Sequence, residues 1–485
     1  MIDFRCVFFL TGILLSGLAI TMSVPLGVEL LWCEGNHWLG FLVSIFICGF
    51  FGSALVLSNR PQAKINLGMR EAFLMTALSW IALSLFAGLP FYNNTSTDFT
   101  FTNAWFEAVS SLTTTGATVI EGLDHTSKGL LLWRALLQWL GGTGIVVMAM
   151  TIFPTLRIGG MQLFRSEFSD RSEKILPRLS QIVSGILSIY IVFTIVCALL
   201  LYWAGMTVFD AICHSMSTVS TGGFSTKDIS FNFYNNPIIE IIVMIFMVLG
   251  GSTLMLFVRF WNGDTKVLGR DSQLRSYLLI LCVTSMIVTF WRWFNSDTHF
   301  LEALRQGTFA IISIVTTTGF SNSDYGQWGF FYVMFFFILC FIGGCTGSTS
   351  GGIKVFRFQV LFALTKSHLM QLRRPHGVYV PLYQGHKISD SIAFSVFTFI
   401  TLYCTCLILL ALALAGMGLD FLTSLSGAAA CMSNVGSGLG DFIGPHTSFA
   451  KLGDGPKYVM MVGMILGRLE LLTVLVLFVP SFWRD

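Results

Sequence analysis

The sequence predicts an all-α protein that crosses a membrane many times, built from four repeated units around one central axis. Three observations carry this prediction. Hydrophobic residues make up 54% of the 485 residues and charged residues only 11%, against about 25% charged in a typical soluble domain. The apolar residues lie in runs of 20 or more, long enough to cross about 30 Å of hydrocarbon. A plan of span, short helix, turn and span recurs four times, with turn glycines about a hundred residues apart.

Composition and charge argue against other classes. Continuous apolar runs, rather than alternating polarity, exclude a transmembrane β-barrel. A net charge of +3 gives no indication of nucleic-acid binding. The eleven cysteines are scattered singly through apolar runs, which is typical of reduced, buried thiols. No cluster of His, Asp and Glu has catalytic or metal-ligand spacing, so we do not expect an enzyme.

Two apolar spans precede the repeats, at about 6–31 and 38–58. Near the start of the chain, Arg5 precedes a long apolar run that has no small-residue cleavage pattern. The first span is therefore expected to be retained. We therefore predict an N-terminal transmembrane hairpin over residues 1–66.

The four repeats are expected at 67–157, 158–262, 263–372 and 373–485. Their paired spans are predicted at about 71–91 and 130–153, 179–204 and 237–260, 275–294 and 329–357, and 389–416 and 457–480. Between the paired spans lie shorter stretches, 103–112, 207–219, 300–315 and 419–432. At 10–16 residues these are too short to cross and predict re-entrant half-helices. Because irregular backbone at membrane depth must be buried in protein or line a cavity, the loops that follow are expected to meet at one axis.

Lysine and arginine concentrate in four linkers, 60–70, 157–178, 259–275 and 354–387, while the opposite segments carry more acidic residues. By the positive-inside rule these linkers are cytoplasmic. The N-terminus is then cytoplasmic, the chain has ten spans, and the four loops enter the membrane from outside.

The four loops have the composition of a cation filter. A filter replaces an ion's hydration shell with backbone carbonyls, and glycine permits the extended backbone this needs. One Thr/Ser–Gly turn by itself would be an ordinary loop, but four in register favour a filter. No carboxylate lies inside them, so a divalent-cation ring is not expected. The candidate filter residues are Thr114, Thr115, Gly116, Ser220, Thr221, Gly222, Thr317, Thr318, Gly319, Asn434, Val435 and Gly436.

These motifs resemble the Trk/Ktr/HKT superfamily of potassium transporters, and specifically the bacterial Trk-type membrane subunit. The resemblance covers nearly the whole chain and is carried by residues 113–118, 220–225 and 316–320. The stretch 159–165 and the extra N-terminal hairpin also match the Trk type.

The resemblance implies four fused span–pore-helix–span units around one pore in the bacterial inner membrane. It also implies a homodimer and a cytoplasmic nucleotide-binding regulatory subunit of the RCK type. Glycine at all four filter positions favours potassium over sodium. Asn434–Ser437 is the loop that departs most from the family pattern.

A glycine-rich run interrupts the second span of the third repeat, and its spacing is not that of a Walker loop. A helix through this run would be unfavourable, since each glycine costs a helix roughly 1 kcal/mol against alanine. A plain kink or a close-packed crossing is one explanation. The family resemblance favours a mobile loop that gates the pore below the filter. The glycines assigned to this gate are Gly343, Gly344, Gly347, Gly351 and Gly352. A weaker run, 141–144, is interpreted as close packing.

Arg468 lies in the middle of the last span, where a charge is expensive and marks a functional site by default. We assign it to the gate, as an electrostatic barrier below the filter. The alternative is a structural ion pair between repeats. Glu470, two residues on, lies on a different helix face and is a poor direct partner.

Two functions from different classes remain open. The first is a potassium uptake pore with channel-like chemistry, in which K⁺ is the transported ion, no organic cofactor is bound, and membrane lipid surrounds the chain. The second is a secondary transporter of a small organic solute that binds at broken helices. Fourfold repetition favours the pore, because such transporters typically have two related halves. Coupling to protons or sodium (symport) is not decided by the sequence.

Overall fold

The structure is a computed structural model that describes residues 3–32, 37–61, 68–94, 99–151, 176–440 and 442–484. Within these ranges, seven helices are long and apolar enough to cross a membrane, or nine if each of two sharply bent pairs is one span. The remaining one of the ten predicted spans, 329–357, contains a helix of only ten residues before its backbone leaves helical geometry. The prediction of a multi-pass, all-α membrane fold is confirmed.

The N-terminal hairpin consists of α1 (Phe4–Thr21), α2 (Ser23–Trp32) and α3 (Trp38–Ser58). Helices α1 and α3 approach closely because glycines face the partner's backbone. A methyl group added at Gly12 would lie 2.9 Å from the carbonyl oxygen of Gly52. Small residues let helices approach closely within a membrane, where the hydrophobic effect does not drive helices together.

The four repeats follow the predicted order. Repeat 1 contains α4 (Met69–Ala87), α5 (Leu89–Tyr92), α6 (Phe101–Leu112) and α7 (Lys128–Thr151). Repeat 2 contains α8 (Leu176–Trp203), α9 (Val208–Val219), α10 (Pro237–Gly250) and α11 (Leu254–Trp261). Repeat 3 contains α12 (Val267–Arg270), α13 (Ser272–Asn295), α14 (Phe300–Val315), α15 (Phe330–Leu339) and α16 (Val355–Arg373). Repeat 4 contains α17 (Asp390–Gly416), α18 (Phe421–Ser433), α19 (Asp454–Arg468), α20 (Leu472–Leu475) and α21 (Ser481–Arg484).

Short elements complete the described chain. Strands β1 (Leu382–Tyr383) and β2 (His386–Lys387) form an antiparallel hairpin in the predicted fourth basic linker. Single turns of 3₁₀ helix lie at Leu123–His125, Ser230–Phe233, Tyr325–Gln327, Phe449–Lys451 and Val476–Phe478. The motif 159–165 and most of the basic linker 157–178 lie outside the described residues.

The half-helices α6, α9, α14 and α18 are 12–16 residues long, as expected. Three of them begin with a side-chain cap, which satisfies a backbone N–H that the helix itself leaves free. The side-chain oxygens of the caps accept from backbone N–H groups: Thr100 from Asn103, Thr207 from Asp210, and Asp420 from Thr423.

The second spans predicted at 237–260 and 457–480 are present as sharply bent helix pairs rather than as single straight helices. Helices α10 and α11 meet at 92°, and α19 meets the helical segment 472–478 at 106°. In repeat 2 the carbonyls of Gly250 and Gly251 accept hydrogen bonds from another segment. In repeat 4, Glu470 and Leu471 have φ of 59° and 37°, outside helical geometry.

The predicted interruption in repeat 3 is present. Helix α15 ends at Leu339 and helix α16 begins at Val355, with non-helical backbone between them. The interpretation of residues 141–144 as close packing is also confirmed, because α7 stays helical there. A methyl group on Gly141 would overlap the carbonyl oxygen of Leu112 at the end of α6.

The repeats pack around a core that is buried between the spans and half-helices. Phe231, Phe309 and Phe320 are completely buried there. The outer faces of the spans, by contrast, expose large apolar side chains such as Phe46, Leu199 and Phe394. Apolar surface on both sides of a helix is what a protein in lipid requires.

We expect Gly141→Ala to lower the thermal unfolding midpoint of the detergent-solubilised protein. Overpacking of this kind typically costs about 1–3 kcal/mol. The control is Gly17→Ala in α1, where an added methyl meets no atom within 4 Å and alanine is the better helix former. Equal midpoints for both variants would contradict the close packing of α7 on α6.

Candidate functional site

All four half-helices end in the same hydrogen-bond pattern. In repeat 1, the N–H of Thr114 donates to Ser111 O at 3.1 Å and the N–H of Thr115 to Ser110 O at 2.9 Å. This pair of bonds is the Schellman motif, which turns the chain sharply out of a helix. The equivalent pairs are Thr221 to Thr218 with Gly222 to Ser217, Thr317 to Ile314 with Thr318 to Ser313, and Asn434 to Cys431 with Val435 to Ala430.

The motif places a residue with a side chain in the left-handed region at each turn. Thr114, Thr221, Thr317 and Asn434 have φ of 52°, 51°, 58° and 55°. β-Branched residues rarely adopt this conformation, whereas asparagine tolerates it. The fourth loop departs most in sequence, yet its asparagine occupies the same backbone position as the three threonines.

A glycine with positive φ follows two residues later in every loop. Gly116, Gly223, Gly319 and Gly436 have φ of 85°, 84°, 83° and 86°. In repeat 2 the equivalent glycine is thus Gly223, not Gly222 as the sequence register placed it. Because Gly222 and Gly223 are adjacent, the sequence does not show which of them is equivalent to the glycines of the other loops. The Schellman motif at the end of α9 identifies Gly223. Loop 1 (113–119), loop 2 (220–226), loop 3 (316–322) and loop 4 (433–439) then share one backbone.

The four loops close into a ring. A methyl group on Gly116 would overlap the carbonyl oxygen of Gly222, and one on Gly223 would overlap that of Thr318. The cycle continues with the following pairs, Gly319 against Val435 O and Gly436 against Thr115 O. Each glycine therefore lies against the carbonyl that precedes the glycine of the next loop. Four backbone segments from one chain meet at one axis.

A small cavity lies against the ring, on the side of the residues that follow the ring glycines. The four ring glycines line it together with parts of the segments that connect each loop to the next span, called the outer loops here. Lys227, at its rim, forms an ion pair with Asp124 at 3.3 Å. The outer loops are tied to the ring: Phe449 donates its N–H to Thr118 O at 2.8 Å, and Tyr325 shares a 2.9 Å hydrogen bond with Ser437.

The glycine-rich segment 340–354 packs against the bend of repeat 2. Cys345 donates its N–H to Gly251 O at 2.8 Å, and Thr349 donates to Gly250 O at 3.1 Å. Three of its glycines are required by close approach, since a methyl on Gly343, Gly344 or Gly351 would overlap a backbone carbonyl. Gly347 and Gly352 have φ of 72° and 66°.

The same segment touches the left-handed residues of the loops. The hydroxyls of Thr349 and Thr221 are 3.1 Å apart, and the N–H of Gly351 donates to Thr317 Oγ1 at 2.6 Å. Gly351 also lies against the carbonyl of Ser433 at the end of α18. The segment therefore contacts three of the four loops, at the ends of their half-helices.

Arg468 is buried and bonds to backbone rather than to a carboxylate. Its Nη1 donates to Thr349 O at 2.8 Å, and its Nη2 lies 3.5 Å from Gly141 O. No described Asp or Glu lies within ion-pair distance of it. The alternative of an ion pair between repeats is therefore not supported. Glu470 pairs with Arg357 of α16 instead.

Several buried polar residues of this region escaped the sequence analysis. Lys354 and Arg357 were counted as cytoplasmic linker charges, but both are buried. Lys354 donates from Nζ to Ser350 O within the glycine-rich segment. Gln138 of α7 donates from Nε2 to Gly222 O at 2.6 Å and accepts from Ser217 at 2.7 Å. Glu107 and Arg134 form a buried ion pair at 2.7 Å.

No simple sequence signal identifies these contacts, because the partners lie far apart along the chain. Arg468 alone was detectable, since it stands in an otherwise apolar span.

A ring of backbone carbonyls is an arrangement suited to binding a cation. In the described part of the chain, no group of three or more His, Cys, Asp or Glu side chains is placed to hold a metal ion.

Comparisons with known proteins agree with this architecture. The profile of the TrkH family, described as cation transport protein, matches residues 40–484. The Trk system potassium uptake protein TrkI of Halomonas elongata is 42% identical over 475 residues, which cover 96% of this chain and 94% of that protein. The Trk system potassium uptake protein TrkH of Salmonella typhimurium is 36% identical over 99% of this chain and 100% of its own.

The crystal structure of the potassium transporter TrkH from Vibrio parahaemolyticus has the same fold. It matches with a TM-score of 0.92 at 33% identity and covers 99% of this chain and 100% of that one. The profile, the full-length relatives and the solved structure all agree, and the chain belongs to the TrkH family of cation transport proteins.

Proposed function

We propose that this protein takes up potassium across the inner membrane of a bacterium through a channel-like pore. The filter is formed by the backbone carbonyls of the four loops, from residues 114–116, 220–223, 317–319 and 434–436. The TrkI and TrkH relatives described above are potassium uptake proteins, which supports K⁺ as the transported ion. The N-terminus and the basic linkers lie in the cytoplasm, and the loops enter from outside.

The observation that carries this proposal is the closed ring of four loops. Each contributes a carbonyl packed against its neighbour's glycine, so four backbone segments surround one axis. We infer that carbonyls of these segments face that axis. Carbonyl rings replace the hydration shell of K⁺. A secondary transporter of an organic solute is the second candidate, and the two bent spans resemble its broken helices. The fourfold ring favours the pore, because such transporters bind substrate between two halves.

The glycine-rich segment and Arg468 form the gate in this proposal. The segment lies under three loops and is held to Arg468 through Thr349 O. A unit positive charge about 5 Å from a passing cation costs roughly 3 kcal/mol at an effective dielectric of 20. A barrier of that size slows conduction about a hundredfold.

The protein is further proposed to act as a homodimer with a cytoplasmic nucleotide-binding regulator. The regulator would contact the basic linkers 157–178 and 354–387. In the second linker, Lys366, Arg373, Arg374 and Lys387 are exposed and supply the positive surface. Rubidium uptake into proteoliposomes, with and without proton and sodium gradients, tests the pore and decides whether uptake is coupled.

Gly319→Ser is expected to weaken potassium selectivity. The added side chain would displace Val435 O from the ring, at a backbone φ of 83° that disfavours any L-residue. We expect the K⁺-to-Na⁺ permeability ratio in proteoliposomes to fall about tenfold or more, equivalent to roughly 1.4 kcal/mol.

The matched control is Gly122→Ser. Gly122 has a similar φ of 77°, but a methyl there meets nothing within 4 Å. It bears the same backbone cost without moving a ring carbonyl, so its permeability ratio should equal that of the wild type. The filter assignment is refuted if the Gly319 and Gly122 variants have the same selectivity.

Arg468→Ala is expected to raise basal rubidium flux, and deletion of Gly347–Gly351 to raise it further. The charge and the segment are separate parts of the proposed barrier. The control is Arg292→Ala, which removes a half-buried guanidinium stacked 3.7 Å from the Trp328 ring, away from the loops. Thermal stability is measured on the same samples. Loss of stability in Arg468→Ala without any gain in flux would rule out the gate.

Replacement of Lys366, Arg373, Arg374 and Lys387 by glutamine is expected to reduce copurification of the nucleotide-binding regulator. These side chains are exposed, so folding should be unaffected and monodispersity serves as the check. Replacement of the exposed Lys266 and Arg270 in the preceding linker is the comparison. Undiminished copurification with the first set would show that this linker is not the contact surface.

A further inference from the structure

Beyond the ring, each loop runs outward and is tied to its own half-helix by a polar side chain. In loop 2, His214 Nε2 lies 3.0 Å from Ser225 Oγ. In loop 3, Ser313 Oγ donates to Phe320 O at 2.6 Å, and in loop 4, Ser426 Oγ donates to Leu439 O at 3.0 Å. These bonds fix the outward-running backbone directly behind the ring.

Loop 1 is tied differently, by a fully buried carboxylate. Glu107 of α6 accepts from the N–H of Val119 at 2.9 Å and from Thr118 Oγ1 at 3.0 Å. Its counter-ion is Arg134 of α7, with Nε 2.7 Å from the carboxylate. Glu107 and Arg134 are 0% and 1% exposed, so neither charge is screened by solvent.

Arg134 reaches two loops at once. Its Nη2 donates to Thr118 Oγ1 of loop 1 at 3.0 Å, and its Nη1 donates to Ser225 O of loop 2 at 3.3 Å. The face of the guanidinium lies 4.0 Å from the ring of Phe224, the residue after the ring glycine Gly223. One planar group therefore spans the boundary between adjacent loops, a task for which a lysine ammonium lacks the geometry.

The position of this pair also bears on the entering ion. Arg134 lines the cavity that lies against the ring, beside Gly116 and Gly223. A positive charge there would repel cations if it were not balanced. Glu107 provides that balance at hydrogen-bond distance.

We propose that Glu107 and Arg134 are positioning residues of the filter. The guanidinium fixes the separation of loops 1 and 2, and the carboxylate holds loop 1 and cancels the charge that Arg134 would present to entering potassium. This inference rests on the proposed filter. It adds a specificity determinant that lies outside the four Thr/Gly loops.

The first test is Arg134→Lys, which keeps the charge but loses the fork across the two loops. We expect the K⁺-to-Na⁺ permeability ratio to fall about tenfold, as one charge-assisted contact of roughly this strength is lost. The control is Glu29→Gln. Glu29 is a buried carboxylate that accepts from Gly129 N at 2.9 Å and touches no loop, so selectivity should be retained.

The second test separates charge from structure by the sign of its effect. Glu107→Gln leaves the guanidinium unbalanced and should raise the half-saturating potassium concentration about tenfold, while Arg134→Gln leaves the carboxylate and should lower it. The double variant Glu107→Gln/Arg134→Gln should restore half-saturation but keep the reduced selectivity. It also removes both buried charges together, so it is testable even where a single variant fails to fold.

A purely structural role would shift half-saturation in the same direction in both single variants, and that result would overturn the inference. Wild-type selectivity in Arg134→Lys and in the double variant would overturn it as well. Gly319→Ser is measured in parallel. If Gly319→Ser alters selectivity while the Glu107 and Arg134 variants do not, the filter stands and this inference fails. If Gly319→Ser also has no effect, the filter itself is refuted.

Discussion

The contact on which the rest of the structure depends is that of a glycine in one loop against a backbone carbonyl of the next. It occurs four times and closes on itself, from Gly116 through Gly223 and Gly319 to Gly436. All four half-helices enter the ring through the same Schellman turn, at the cost of holding three threonines in a left-handed conformation. Gln138 of α7 and the outer loops stabilise the ring through hydrogen bonds to Gly222, Thr118 and Ser437.

The sequence predicted what depends on local signals. Span length, half-helix length and the interruption of repeat 3 follow from runs of apolar residues and from glycines, and the structure agrees with them. The register of loop 2 was missed because Gly222 and Gly223 are adjacent, and only the end of α9 distinguishes them. Asn434 looked like a departure, but asparagine is suited to the left-handed position that the motif requires.

What the sequence could not predict depends on partners that are distant along the chain. At the bend of repeat 2, the carbonyls of Gly250 and Gly251 accept hydrogen bonds from another segment, and at the bend of repeat 4 the side chain of Glu470 pairs with Arg357 of α16. An apolar run alone reveals neither contact. The sequence places Lys354 and Arg357 among the linker charges because they border a basic stretch. Both are buried, Lys354 at the end of the glycine-rich segment and Arg357 just after it. The Glu107–Arg134 pair joins a half-helix to the following span and to a second loop, a relation visible only in three dimensions.

The ring is formed by a single chain, which changes how it can evolve. In a pore assembled from four identical subunits, one codon change alters every quarter of the ring at once. Here Gln138, Asn434 and the Glu107–Arg134 pair each act on only one or two quarters. A substitution therefore perturbs part of the ring while the remaining loops keep their geometry. In the proposed filter, ion preference can accordingly change in small steps.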